Sequence, residues 1–220
     1  MLIRAGADVN AKDGYGNTIL LHGVGNKDII ELLVRAGADV NIKNNVGQTP
    51  LWLAVYLKKG TDVIETLIRN GADVNIADKE GKTPLRQAFE QKDYEAIRVL
   101  ANNGADVNVK DKKGNTPILV TISKGEYEMA RLLLDNGADV NAKYPEDDFL
   151  DKGKTLLHKA ASGKSTNDTQ MVKLLIEKGA DINAKRGDDT VLHSAASWGN
   201  AETVKILLEN GANPNAATSK

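Results

Sequence analysis

The chain has 220 residues, 29 Lys and Arg against 30 Asp and Glu, a net charge of -1 and 4% aromatic residues, a balance poor in the phosphate-neutralising and base-stacking groups that general nucleic-acid binding requires. It has no cysteine, which removes disulfides and thiolate metal ligands and suits a reducing compartment. Its apolar runs fall well short of the roughly 20 residues of a membrane span, and Met1 to Asn10 lacks the charged start and apolar stretch of a signal peptide, so a chain that is cytoplasmic or otherwise intracellular is the expectation, with secretion as an effector left open.

The predicted elements recur. GADVN starts at Gly6, Gly37, Gly71, Gly104 and Gly137, then changes to GADIN at Gly179 and GANPN at Gly211, giving spacings of 31, 34, 33, 33, 42 and 32 residues. Such a period is that of a small helical unit copied and stacked. Met1 to Arg4 match only the last turn of a unit, so the chain is expected to begin inside a repeat whose stacking face lacks a polar cap. The next unit, from Thr18, is short and carries Gly23 and Gly25 in its first helix, so it is expected to fray first. Further along, Thr49, Thr83 and Thr116 each precede a proline and an apolar run. The hydroxyl is placed to cap a helix whose first residue is Pro50, Pro84 or Pro117.

Second helices are predicted over Ile29 to Val34, Val63 to Ile68, Ile97 to Ala101, Met129 to Leu134, Met171 to Ile176 and Thr203 to Leu208, where apolar residues fall at helical spacing. Each stops at a glycine, from Gly37 to Gly211, where a left-handed cap is needed. Asp and Asn then form a turn into a polar hairpin such as Asp78 to Gly81. No such unit buries its own apolar faces, so the core forms only by stacking neighbours.

The strings GQTPLWLA from Gly47, GKTPLRQA from Gly81, GNTPILVT from Gly114, GKTLLHKA from Gly153 and DDTVLHSA from Asp188, each followed by an apolar second-helix run and GADVN or a variant, resemble the ankyrin repeat across essentially the whole chain. The resemblance implies an all-α fold with short β-hairpins, an ankyrin-repeat solenoid of stacked helix-turn-helix units. It is expected to be a single domain over 1–220, with a partial repeat at 1–12, repeats at 13–43, 44–77, 78–110, 111–143, 144–185 and 186–217, and a tail at 218–220.

Several strings imitate chemistry. Gly81-Lys82-Thr83, Gly153-Lys154-Thr155 and Gly163-Lys164-Ser165 look like the end of a phosphate loop, but the glycine required five positions earlier is Ile76, Asp148 or His158. His158 and His193 occupy the histidine slot of the repeat, where the resemblance implies hydrogen bonds with the neighbouring threonine. With His22 they leave no set of metal ligands of the usual kind. Lys12, Lys43, Lys110, Lys143 and Lys185 occupy one equivalent place and read as a solvated face of alternating charge. No catalytic residue, cofactor or metal is expected.

What remains is departure from the repeat. The resemblance places a partner across hairpin tips and the exposed side of the first helices, the concave face, here Tyr15, Val46, Trp52, Tyr56, Leu57, Glu80, Arg86, Glu90, Gln91, Lys113, Ser123, Lys124 and Trp198. Trp52 replaces the usual histidine, with packing against a neighbouring helix as its other reading. Large aromatics are common interface anchors. Tyr144 and Phe149 join the set from a six-residue insertion, which lengthens one hairpin and carries acidic residues that lack Ca2+-loop spacing and read as solvated charge. A second, polar insertion over Ser162 to Thr169 is expected to be a loop. Resemblance to other ankyrins also makes Asn41, Asn75, Asn108 and Asn141 candidates for hydroxylation.

The leading expectation is therefore a non-catalytic protein-protein interaction scaffold with a protein partner, no nucleic acid and no membrane. It is expected to be a monomer, with end-to-end association through the uncapped N-terminal repeat as a further expectation. The alternative is a targeting segment of a larger enzyme or microbial effector whose catalytic part lies outside this chain.

Overall fold

The computed structural model describes residues 8–146, 148, 150–163, 166–198 and 200–216, the side chains of 166 and 167 excepted. Residues 1–7 of the expected partial repeat, and Phe149, lie outside them. The chain divides into two compact units, Met1–Asp106 and Val107–Lys220.

In the first unit, α1 (Ile19–His22), α3 (Pro50–Tyr56) and α5 (Pro84–Glu90) are the first helices of successive repeats, and α2 (Lys27–Arg35), α4 (Thr61–Arg69) and α6 (Tyr94–Asn102) are the second. First helices pack on first helices and second on second, giving two layers. Leu20, Leu51 and Leu85 from one layer and Ile30, Ile64 and Ile97 from the other are essentially inaccessible to solvent. Burying each such side chain contributes about 1.5–3 kcal/mol.

Helix starts follow the capping chemistry. The Thr49 hydroxyl accepts from the Trp52 amide at 3.2 Å and that of Thr83 from the Arg86 amide at 3.2 Å, satisfying donors that the helix itself leaves unpaired. Each second helix ends in one left-handed glycine, with φ of 93° at Gly37, 89° at Gly71 and 84° at Gly104. Beyond it, the Ala38, Ala72 and Ala105 amides return to Leu33, Leu67 and Leu100, the double-bonded Schellman ending.

Repeats are joined by asparagine. The Asn41 side chain donates to the Gly71 carbonyl at 3.0 Å and accepts from the Asp73 amide at 2.8 Å, and Asn10 and Asn75 do the same one repeat before and after. Two expected lysines of the solvated ladder instead reach the next hairpin: Lys12 Nζ donates to the Lys43 carbonyl and Lys43 Nζ to that of Ala77, each at 2.9 Å.

The second unit repeats the plan with α7 (Pro117–Lys124), α9 (Leu156–Ala161) and α11 (Val191–Ser197) as first helices, and α8 (Tyr127–Asp135), α10 (Thr166–Glu177) and α12 (Ala201–Glu209) as second. The Asn108, Asn141 and Asn183 side chains make the same inter-repeat bonds to Asp139, Asp181 and Asn213. A short antiparallel pair, β1 (Lys185–Arg186) with β2 (Asp189–Thr190), forms the hairpin before α11.

Two expectations change here. Thr116 adopts the capping backbone conformation, but its hydroxyl makes no cap and is buried without a partner. The polar insertion before Thr169 is helical from Thr166 onward, so α10 has 12 residues where α8 and α12 have 9. Most of the extra length extends a helix by about one turn instead of forming a loop, and Asp168 in its first turn suits the helix N-terminus.

Candidate functional site

Hairpin tips are built by one acceptor. In the first unit Asp13 Oδ1 accepts from the amides of Tyr15 (2.8 Å) and Asn17 (2.9 Å), Asn44 Oδ1 from those of Val46 and Gln48, and Asp78 Oδ1 from those of Glu80 and Lys82. This fixes Tyr15, Val46 and Glu80 at equivalent tip positions. Neighbouring tips are tied directly, the Asn45 amide donating to the Tyr15 carbonyl at 2.9 Å and the Lys79 amide to that of Val46 at 3.1 Å. Tyr15 and Val46 are exposed, at 78% and 55%.

At the end of α3 the sequence-predicted residues divide. Tyr56 and Leu57 are half-exposed apolar side chains, whereas Trp52 is buried. Trp52 occupies the histidine slot, and its indole Nε1 donates to the Lys82 carbonyl at 2.9 Å, just before the next capping threonine. His158 stands in the same relation to the Asp189 carbonyl, at 3.5 Å. Tryptophan therefore keeps the contact to the next repeat that histidine makes, and Trp52 is a packing residue that supports Tyr56 through a stacked ring contact at 5.4 Å. Across from them, Glu90 bridges Lys82 at 2.9 Å and Arg86 at 3.5 Å, and the Gln91 side-chain Nε2 donates to the Tyr56 carbonyl at 2.8 Å. The structure thus gathers Tyr56, Leu57, Arg86, Glu90 and Gln91 into one patch: an apolar centre beside an ion-paired cluster in which one carboxylate serves two cations.

In the second unit Lys113 sits at a hairpin tip, its amide donating to Asp111 Oδ1 at 2.8 Å. Ser123 and Lys124 lie exposed at the end of α7. Trp198 is the residue that ends α11 and is 52% exposed. The structure brings these last three to one groove of about 600 Å³, together with residues from the lengthened hairpin.

That hairpin is folded down. Tyr144 was expected to face a partner, but it is 4% exposed, its hydroxyl donating to the Leu119 carbonyl at 2.9 Å and lying 2.9 Å from Ser123 Oγ. Burial pushes the phenol pKa well up. Among the expected solvated acids Asp151 is 6% exposed and accepts from both Lys154, at 2.9 Å, and Lys159. Burial raises its pKa, but the two ammonium hydrogen bonds outweigh that and hold the carboxyl below its usual range. Asp148 Oδ1 caps the hairpin turn by accepting from the amides of Leu150 and Asp151, and Glu146 pairs with Lys152 at 3.2 Å. Leu150, which the sequence reading did not select, is 72% exposed at the groove. Its available signal was an apolar residue inside an otherwise polar insertion.

The histidines are engaged locally. Nδ1 of His158 lies 2.8 Å from the Thr155 hydroxyl, Nδ1 of His193 lies 2.9 Å from that of Thr190, and Nε2 of His22 lies 2.9 Å from Asp13 Oδ2. His158 has its pKa lowered, first by burial and further by Lys154 and Arg186. Among the described residues no group of three or more His, Asp or Glu is placed to hold a metal ion, and no helix is long and apolar enough to cross a membrane. Asn41, Asn75, Asn108 and Asn141 all serve as inter-repeat brackets, so their amides are held by hydrogen bonds.

Comparison with known proteins agrees with this architecture. A model of the ankyrin-repeat family, built of three copies, matches residues 1–78, 57–144 and 145–218. No curated protein matches the chain. Among solved structures, an ankyrin repeat domain from Acinetobacter baumannii AYE is 28% identical, covering 91% of this chain and 100% of its own, with a TM-score of 0.69. The ankyrin repeat domain of Bcl-3, a member of the IkappaB protein family, is 26% identical over 94% of this chain and 90% of its own, with a TM-score of 0.67.

Proposed function

Because the chain belongs to the ankyrin-repeat family, whose members are generally protein-protein interaction modules and typically non-catalytic, we propose that it binds a protein partner through its hairpin tips and the exposed ends of its first helices, without catalysis of its own. The observation that carries this reading is the Tyr56 and Leu57 pair. Both are half exposed at the end of α3, where the repeat core is already closed by buried Leu51, Ala54 and Val55, so stacking does not require them. An aromatic and an aliphatic side chain ringed by charged groups is the composition of an interface centre. The near-neutral charge supports a protein in preference to a nucleic acid. An intracellular location fits the absence of cysteine.

The test is retention of proteins from cell extract by the immobilised chain and by a Tyr56→Ala, Leu57→Lys variant, after circular dichroism shows equal helicity. A protein held by the parent and lost by the variant supports the reading. Equal retention overturns the choice of face, and retention of nothing by either overturns the binding-module reading for this chain.

A further inference from the structure

The groove of about 600 Å³ in the second unit draws on the end of α7 (Ile122, Lys124), the lengthened hairpin (Leu150, Asp151), the start and end of α9 and Trp198 after α11. Its size is that of a ligand-binding cleft. The six-residue insertion alone supplies Leu150, so the other repeats have no counterpart to this wall.

Its floor is fixed. Asp151 is held by Lys154 and Lys159, and Tyr144 ties the hairpin to α7 through Leu119 and Ser123. A preorganised wall lowers the ordering cost of binding. Its rims are apolar, with Leu150 72% and Trp198 52% exposed.

The charges decide what fits. Three lysines, Lys124, Lys154 and Lys159, meet two aspartates, Asp151 and Asp168. Lys154 and Lys159 are already answered by Asp151. Asp168 lies against the backbone of Gly163, where an added Cβ would come within 2.1 Å of its Cγ, beside the N-terminus of its own helix α10, which favours its negative charge. Lys124 is exposed and makes no ion pair among the described residues. The charge left over in the groove is therefore cationic.

We propose that this groove binds an extended peptide segment carrying an apolar side chain, seated between Leu150 and Trp198, close to an Asp or Glu that pairs with Lys124. The proposal rests on the protein-binding reading above but on a different patch of the chain.

The experiment uses a random dodecapeptide library panned on the intact 220-residue chain, with a Lys124→Glu, Trp198→Ala variant of matched helicity for counter-selection. Recovered peptides are expected to carry Asp or Glu within a few residues of Leu, Ile, Phe or Trp. They should bind the parent at least tenfold more tightly than a Lys124→Glu single variant and weaken as salt is raised. The Tyr56→Ala, Leu57→Lys variant should bind them as the parent does, which separates failure of this site from failure of the other face. Recovery of no peptide, recovery of peptides without acidic enrichment, or equal binding by the Lys124→Glu variant would each overturn the proposal.

Discussion

His158 makes stability depend on pH. Its imidazole is fully buried, and burial, Lys154 and Arg186 together hold its pKa below the ordinary 6.5, while the Asp189 carbonyl and carboxylate oppose them. The unfolded chain therefore takes up the proton first as pH falls. Stability is full above about 6.5 and declines below it until the lower folded pKa is reached. We expect the urea midpoint to drop between pH 7.5 and 5.5, and a His158→Gln variant to flatten that decline; an equally steep decline in the variant would refute the assignment. Asp151 acts in a more acidic window, its contribution present above about 3.8 and lost as pH falls through its depressed folded pKa. Lys92 shows a different residue-scale effect, because it is held at φ 54°. A left-handed side chain costs about 1–2 kcal/mol, against about 0.5–1 kcal/mol of extra chain entropy that glycine loses on folding. Lys92→Gly should therefore raise stability by about 0.5–1 kcal/mol in urea unfolding. The histidine and threonine pairing was legible in the sequence because both lie three residues apart inside one motif. The indole bond of Trp52 was not, since its partner is a carbonyl 30 residues away.

At the scale of elements, the repeats differ in how well they are held. Helix α1 has only four residues, and its N-cap Thr18 makes no side-chain cap. Ile19, Ile29 and Leu32 are exposed, whereas their counterparts in the next repeat, Pro50, Val63 and Thr66, are buried. Amide exchange should accordingly be faster over α1 and α2 than over α3 and α4, and equal protection would contradict this. The turns are also unequal. Gly71 (φ 89°) has open space where a Cβ would go, but at Gly47 (φ 84°) a Cβ would lie 2.6 Å from the Lys79 amide nitrogen. Gly71→Ala should cost about 1 kcal/mol from backbone strain alone, and Gly47→Ala measurably more in the same denaturation assay. Helices, glycine caps and hairpins were legible because each is specified by residues within one period. The lengthening of one hairpin was legible too, but its packing was not, because insertion breaks the register: Asp151 finds Lys159 eight residues on, in α9, and Tyr144 finds Leu119 in α7.

For the whole molecule, the repeated strings predict a single domain over 1–220, while the chain divides into two compact units. The two tryptophans offer a direct probe, since Trp52 is in the first unit and Trp198 in the second. Variants retaining one tryptophan each, with phenylalanine at the other site, should give coincident urea transitions if one domain is correct, and two separate midpoints would reject it. The family and helix pairing were legible at this scale from period and motif. Which exposed side chains gather into a patch was less so, because Lys124, Leu150 and Trp198 come from three repeats and share no local signature. The asparagine bracket has a last consequence, for ancestry. The GADVN segments at Gly37, Gly71 and Gly104 each carry both halves of the joint, an asparagine side chain that reaches forward and a glycine carbonyl and following Asp amide that are reached from behind. A tandem duplication of about 33 codons therefore brings its own connector, and the gene can lengthen or shorten by whole units without inventing a new interface.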